Sequence, residues 1–368
     1  MSEPKRVLIA GFTTEMGGME SYVMNLYRHI NRDRLQFDFV NNLDGQIAFA
    51  DEITQMGGRI FNIPMLRNGF AEHYKAMDRV FGNTKYEAIY YQSTRKLKNS
   101  DLFRYAKKYK VPHRILHSHS TRNLTESRIN KARILLTEKL LKLYVTDRFA
   151  CSAEAGEWMF PGAEDVIVVN NGVDSAVFEY DRSAADEFKK KNNAANKKVY
   201  GAVGRISTEK NPLFLVDVFS EIHKRDENTV FWHIGGGGGA LEDSMRSRIR
   251  ELGLVDSYIM FGRQKNVPEF MNAMDLMLLP SLYEGFPIVL VEAQCSGLKC
   301  LVSDTITKKV DITGDVVFAS IKDTPEKWGE LARASAEYER RSCSDIIIDK
   351  GFDEQTIANW FEEYILGE

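Results

Sequence analysis

Two successive runs of alternating strand and helix patterns, separated by a polar, lysine-rich stretch, constrain this chain more than any other feature. The first run opens with an apolar segment of strand length at residues 6–12 and a turn at 13–18. Apolar residues then fall at Met19, Tyr22, Val23, Leu26, Tyr27 and Ile30, which is helical spacing. Strand patterns follow at 36–41, 59–64, 86–92, 114–118, 148–152 and 166–170, with helical segments between most of them. The alternation stops near Asn170-Asn171-Gly172-Val173-Asp174, and 181–198 is polar with no strand signal. It restarts with strands at 199–203, 229–234, 258–261, 276–280 and 300–303, the last completing the core. Helices are expected at 213–223, 241–252, 268–274 and 287–296. Strands alternating with helices predict parallel, doubly wound sheets. The expected fold class is therefore α/β, with two Rossmann-like domains facing across a cleft. Their expected limits are 1–173 and 174–353, and a last helix spans 354–366.

At 368 residues the chain can bury a core in each half. No apolar run reaches membrane-span length, and the first one is too short for a signal peptide. The four cysteines (Cys151, Cys295, Cys300, Cys343) form no CxxC pair and no metal spacing. They read as reduced thiols, mostly core, which places the chain in the cytoplasm. The net charge of −3 hides an asymmetry: 95–148 carries fifteen Lys and Arg against four Asp and Glu. A basic segment on a near-neutral chain points to an anionic partner.

Five local patterns carry chemistry. In Leu279-Pro280-Ser281-Leu282-Tyr283-Glu284-Gly285-Phe286-Pro287 an apolar strand ends, Glu284 sits in the turn, and Gly285 permits close approach. Pro287 fits the first turn of a helix whose amides and dipole suit a phosphate or sugar oxygens. Glu292, alone among apolar residues from 287 to 293, can accept two hydroxyl hydrogen bonds from a ribose diol. In the second pattern Arg205 and Lys210 bracket a turn at a strand's carboxyl end, so both cations can converge on one diphosphate. The third is the five-glycine run 235–239. Its Gly235, Gly237 and Ala240 fit a dinucleotide pattern, but no acid ends the next strand, which excludes NAD. The fourth, Gly17-Gly18-Met19-Glu20, follows the first strand; its structural alternative is a tight turn with Glu20 in the first helical turn. In the fifth, His117-Ser118-His119-Ser120, the two histidines are read as pointing to opposite faces, which argues against a zinc pair. There is no DxD motif and no Walker A loop.

Together these patterns resemble the retaining glycosyltransferases of the GT-B fold, in glycosyltransferase family four, over nearly the whole chain. Glu284 and Glu292, separated by seven residues, resemble the family's EX7E motif. Arg205 and Lys210 match its diphosphate-holding pair, and Gly17 and Gly18 its N-domain glycine loop. His119 matches the histidine that contacts the transferred sugar, and Asn171-Gly172-Val173-Asp174 the interdomain NGVD segment. The resemblance implies a catalytic pair of His119 and Glu284. It implies donor binding by Gly17, Gly18, Arg205, Lys210, Gly235, Gly236, Arg263, Val267, Gly285, Phe286, Pro287 and Glu292. The loop 263–267 would read the base through backbone, with no cofactor and no metal. It also implies that the last helix returns to the N-terminal, acceptor-side domain. The family often carries an acid and a proline in the loop here written 235–239, and this chain has neither.

The implied reaction is metal-independent transfer, with retention, of a sugar from a UDP-sugar to a glycan acceptor. In enzymes of exopolysaccharide or capsule assembly, which this chain resembles, that acceptor is often lipid-linked. The pattern at 130–144 predicts a basic amphipathic helix, and docking of 95–148 on the anionic inner face of the cell membrane is one use for it. A solvated helix packed on the core is the other. The rival functions are a nucleotide-sugar epimerase on the same fold and a non-catalytic nucleotide-sugar-binding protein. Nucleic acid is not an expected partner, for lack of an RNA-type aromatic arrangement.

Overall fold

The computed structural model describes residues 3–95, 101–120, 141 and 143–368. The basic amphipathic pattern at 130–144 lies largely outside these residues. The chain divides into two compact units, 1–172 with 354–368, and 173–353.

The N-terminal unit holds a seven-stranded sheet in the order β3-β2-β1-β4-β5-β6-β7, parallel throughout. Its strands are β1 (Lys5–Ala10), β2 (Leu35–Asn41), β3 (Arg59–Asn62), β4 (Tyr86–Ser93), β5 (His113–Ser118), β6 (Asp147–Ala150) and β7 (Val166–Val168). The central strands are nearly continuous apolar runs because helices cover both faces. The strand order reverses between β1 and β4. The helix Gly18–His29 follows β1 and buries Tyr22, Val23, Met24, Leu26 and Tyr27 against one face. The final helix Glu354–Leu366 belongs to this unit. Its Phe361 meets Tyr90 at 5.0 Å and Phe37 at 6.0 Å between ring centroids. Glu362 accepts a hydrogen bond from the Asn31 amide at 3.0 Å and pairs with Arg34 at 2.8 Å.

The C-terminal unit holds a six-stranded parallel sheet in the order β10-β9-β8-β11-β12-β13. The strands are β8 (Lys198–Val203), β9 (Thr229–Ile234), β10 (Tyr258–Gly262), β11 (Leu276–Leu279), β12 (Cys300–Ser303) and β13 (Val316–Ala319). Here the order reverses between β8 and β11. Three differences from the sequence expectation stand out. The core does not end with β12, because β13 pairs with it in parallel register. Two further helices, Pro325–Ser335 and Ser344–Asp349, follow. The lysine-rich stretch contains a helix, Arg182–Lys191, whose first turn is capped by the Asp181 carboxylate accepting from the Ala184 amide at 3.0 Å.

Candidate active site

In open parallel sheets ligands lie beyond the carboxyl ends of the strands, where the strand order reverses. In the C-terminal unit that position lies beyond β8 and β11, and the segments leaving these neighbours carry Arg205, Lys210 and Glu284. The Lys210 ammonium lies 2.5 Å from Glu284 Oε1. The Ser281 hydroxyl donates to the same oxygen at 2.8 Å. The Leu282 amide donates to the Glu209 carbonyl at 2.7 Å, which ties the two loops together through backbone. Asn211, in the left-handed region at φ 54°, turns the chain into the helix Pro212–Arg225.

The glycine loop after β9 presses on the loop after β8. Gly235 sits at φ 129°, and a Cβ there would lie 1.8 Å from the Gly204 carbonyl oxygen, so glycine is required. Its amide donates to the Gly262 carbonyl at 2.8 Å, joining the end of β9 to the end of β10. A Cβ on Gly236 would find nothing closer than 3.9 Å. The acid that steadies this loop comes from the helix after it. Arg246, and then the backbone amides of Gly237 and Gly238, hold the Glu242 carboxyl below its usual range. Sequence reasoning missed Glu242, although an acid in the first helical turn after a glycine run is the relevant signal. Arg263 reaches the same loop: its Nη2 lies 3.6 Å from where a Gly237 Cβ would be. Val267 opens the helix Val267–Ala273 and packs on the core of this unit.

After Glu284, Gly285 is exposed, and a Cβ on it would meet nothing within 4 Å. The Phe286 ring turns inward and stacks on Phe352, 5.8 Å between centroids and 7° between planes. Pro287 is the residue before the helix rather than its first turn. The helix runs Ile288–Cys295, and Glu292 sits half-buried just over a turn into it. Beneath the Gly204–Lys210 segment lies His233, at the end of β9 and 5% exposed. Its Nδ1 is 3.1 Å from the Tyr258 hydroxyl, and burial pushes its pKa down to about 4. Sequence reasoning missed it as well.

In the N-terminal unit the equivalent reversal lies between β1 and β4. Gly11, at φ 97°, lets the loop after β1 touch β4: a Cβ there would be 2.0 Å from the Gln92 carbonyl oxygen. Gly17 precedes the helix Gly18–His29 and Gly18 opens it, while a Cβ on Gly18 would meet nothing within 4 Å. Glu20, fully buried, folds back and accepts from the Thr13 amide at 3.0 Å and the Thr13 hydroxyl at 2.7 Å. It thereby fixes the loop that carries the two glycines.

His119 sits just past β5. Its backbone amide donates to the Ser93 carbonyl at 2.8 Å, and its Nε2 lies 2.6 Å from Gln92 Oε1. An amide oxygen can only accept, so Nε2 carries a proton and, in the neutral ring, Nδ1 keeps a lone pair. Burial pushes the His119 pKa down to about 3 and holds that of His117 well below the usual range. The expectation that the two histidines point to opposite faces is incorrect. Residues i and i+2 of a strand share a face, and the rings lie 4.1 Å apart between centroids. His117 is fully buried and closes a polar chain: Nδ1 to the Tyr90 hydroxyl at 2.6 Å, then to the Tyr22 hydroxyl at 3.1 Å. Gln92 and this tyrosine pair were not singled out from sequence.

Two doubly wound parallel sheets in two units are the architecture of the GT-B glycosyltransferases, and the comparisons with known proteins assign the chain to that class. Residues 183–344 match the family model described as glycosyl transferases group 1. The chain is 31% identical over 366 residues to EpsF of Bacillus subtilis (strain 168), a protein named as a glycosyltransferase; the match covers 96% of this chain and 94% of EpsF. A second relative is the UDP-Gal:alpha-D-GlcNAc-diphosphoundecaprenol alpha-1,3-galactosyltransferase of Escherichia coli. It is 30% identical over 172 residues, 46% of this chain and 43% of that protein. Among solved structures, HepE of Anabaena in complex with UDP superposes with a TM-score of 0.76 at 18% identity, over 99% of this chain and 100% of that one. A glycosyltransferase from Rickettsia africae superposes at 0.80 with 13% identity, over 99% of each. The chain belongs to the group 1 glycosyl transferases and is a glycosyltransferase of the GT-B fold. Among the described residues no helix is long and apolar enough to cross a membrane.

Proposed function

We propose that this chain transfers a sugar, with retention of anomeric configuration and without a metal, from a UDP-sugar to a glycan acceptor in polysaccharide assembly. The observation that carries the reading is the placement of Arg205 and Lys210 on the loop after β8 with Glu284 held against Lys210 from the neighbouring strand. A leaving diphosphate needs fixed positive charge where its own charge develops. Arg205, Lys210 and the amides around Gly285 supply it, which is the task a divalent cation performs in metal-dependent transferases. The bond from the anomeric carbon to the diphosphate oxygen breaks, and a new bond forms from that carbon to an acceptor hydroxyl oxygen. The hydroxyl proton passes to the departing diphosphate.

In this reading Glu284 holds donor-sugar hydroxyls, and Glu292 takes the ribose diol. The backbone of 263–267, with Val267, flanks the base, while Gly235 and Gly236 leave room for the diphosphate. In the N-terminal unit Gly17, Gly18 and His119 lie just past the carboxyl ends of β1 and β5, the end at which such a sheet takes a ligand. UDP is favoured as the nucleotide because HepE, a structural neighbour, was solved with UDP. A lipid-linked acceptor is favoured because the Escherichia coli relative is named for one.

Calorimetric titration of UDP, GDP and ADP in the presence of EDTA tests the donor side. UDP binding that survives EDTA and is lost in Glu292→Ala supports the reading. Binding that requires a divalent ion, or that is indifferent to Glu292, refutes it. The anomeric configuration of the product, read by proton NMR at the first turnovers, tests retention.

A further inference from the structure

Gln92 is the last residue but one of β4, beside the reversal of strand order between β1 and β4, and is 1% exposed. Its amide is used at one end only. Oε1 accepts from His119 Nε2 at 2.6 Å, while Nε2 is sealed from solvent and makes no hydrogen bond. A buried donor without a partner costs at least as much as the one neutral bond at the other end contributes. An apolar side chain of similar size would fill the position without that cost. A buried polar group that the fold itself does not favour is expected where function uses it. The only group Gln92 holds through its side chain, among the described hydrogen bonds, is His119.

The His119 ring is packed on both sides. Its centroid lies 4.1 Å from that of His117 and 5.4 Å from that of Tyr22. Neither neighbour hydrogen-bonds to it, so among the described residues Gln92 decides which ring nitrogen carries the proton. Burial keeps the ring neutral. With Nε2 protonated, Nδ1 is left as an acceptor. That atom makes no hydrogen bond among the described residues and, unlike Gln92 Nε2, is not sealed from solvent.

We propose that Gln92 is a positioning residue, which fixes His119 in the tautomer that offers Nδ1 as a hydrogen-bond acceptor to a hydroxyl of the transferred sugar. The inference rests on the reading of His119 as a sugar-contacting residue and adds the polarity of that contact. The sugar hydroxyl donates and the imidazole accepts. On the nitrogen it offers, the ring has no proton to give, so His119 recognises an O–H and does not act as an acid. The opposite tautomer would offer an N–H and would favour a group that only accepts.

The test uses the full chain with ¹⁵N-labelled histidine. The sugar ligand is the tightest binder among UDP-glucose, UDP-galactose and UDP-N-acetylglucosamine, and UDP is the reference without the sugar. Long-range proton–nitrogen NMR, assigned by the signals missing in His119→Leu, is expected to show Nε2 protonated and Nδ1 bare, in the free protein and in the UDP-sugar complex. Gln92→Leu is expected to replace that single tautomer by a mixture or by its reverse. The same variant is expected to bind the UDP-sugar about three- to tenfold more weakly, the worth of one neutral hydrogen bond. It should bind UDP within twofold of the wild type and melt no lower; Gln92→Met serves if the leucine variant fails to fold. A protonated Nδ1 in the wild type, or a tautomer unchanged in Gln92→Leu, overturns the proposal. Equal weakening of UDP and UDP-sugar, or a lowered melting temperature in both apolar variants, assigns Gln92 to the fold and overturns it as well. If His119→Leu weakens the UDP-sugar and Gln92→Leu does not, the proposal alone falls. If His119→Leu leaves the UDP-sugar untouched, or no UDP-sugar binds the wild type, the underlying reading falls and the proposal with it.

Discussion

Glu284 Oε1 receives two donors at once, the Lys210 ammonium at 2.5 Å and the Ser281 hydroxyl at 2.8 Å, and these join two loops from neighbouring strands. The pair is partly solvent-exposed, so its contribution to folding is small, about 1 kcal/mol or less. Its value is positional: a cation and a carboxylate are held side by side where the strand order reverses. Replacing Lys210 with Met therefore separates catalysis from stability. We expect turnover to fall by about 10² to 10³-fold, the range for removal of one preorganised charge from a transition state, with a nearly unchanged melting temperature. Glu284→Gln keeps a hydrogen-bonding oxygen for Ser281 and is expected to lose less than Glu284→Ala. Steady-state kinetics beside thermal melts decides the matter. Activity lost only in proportion to unfolded protein would assign the pair a structural role instead.

Glu292 is half-buried on the helix Ile288–Cys295. If its carboxylate accepts both ribose hydroxyls, Glu292→Ala lowers UDP affinity by about 10 to 100-fold, the worth of hydrogen bonds to a charged group. The diagnostic comparison uses 2′,3′-dideoxy-UDP, which lacks both hydroxyls. Wild type and variant should bind that analogue equally. A persisting difference would show that Glu292 acts on something other than the ribose.

The alternation of strand and helix was legible because apolar runs of four to eight residues recur between helical patterns. What escaped was short, or polar. Val316–Ala319 is a four-residue edge strand, and Ser344–Asp349 is a six-residue helix whose Ile346-Ile347-Ile348 run has no helical period. Arg182–Lys191 buries only Ala185 fully, so no amphipathic stripe marked it. In the candidate site the residue types could be named from the motifs, but their partners could not. Lys210 and Glu284 meet only because β8 and β11 are neighbours, a fact of topology. Gln92 reaches His119 because β4 lies beside β5. The misreading of His117 and His119 had a different origin: the strand period of two, correctly applied, places them on one face.

Two glycines of one loop should respond differently to the same added methyl group. Gly235→Ala forces a Cβ within 1.8 Å of a backbone oxygen at φ 129°, and neither side can yield cheaply. We expect a loss of about 3 kcal/mol or more of stability, read as a lower urea midpoint or as insoluble protein. Gly236→Ala meets nothing closer than 3.9 Å and lies outside the left-handed region, so the fold should tolerate it. If the diphosphate passes over this backbone, Gly236→Ala weakens UDP binding at constant melting temperature. Unchanged binding would remove Gly236 from the donor site.

Acid should weaken the C-terminal unit through His233. Its pKa is pushed down to about 4 by burial against an ordinary value near 6.5. Between these values the unfolded chain binds more protons than the folded one. Stability is therefore fully present above about pH 6.5 and is lost as pH falls toward 4. The whole window is worth about 3 kcal/mol, of which about 2 kcal/mol falls between pH 7 and pH 5. Nearby, the Tyr258 hydroxyl faces the ring and the Glu242 charge offsets part of the burial effect. His117 and His119 shift the same way, so the wild-type curve alone cannot isolate His233. His233→Gln retains a polar partner for Tyr258 and removes the titration. Urea unfolding of both proteins at pH 7 and pH 5 should show the variant losing about 2 kcal/mol less than the wild type over that interval. Parallel losses would mean that His233 is solvated in the folded chain, and that the floor beneath Arg205 and Lys210 is wet.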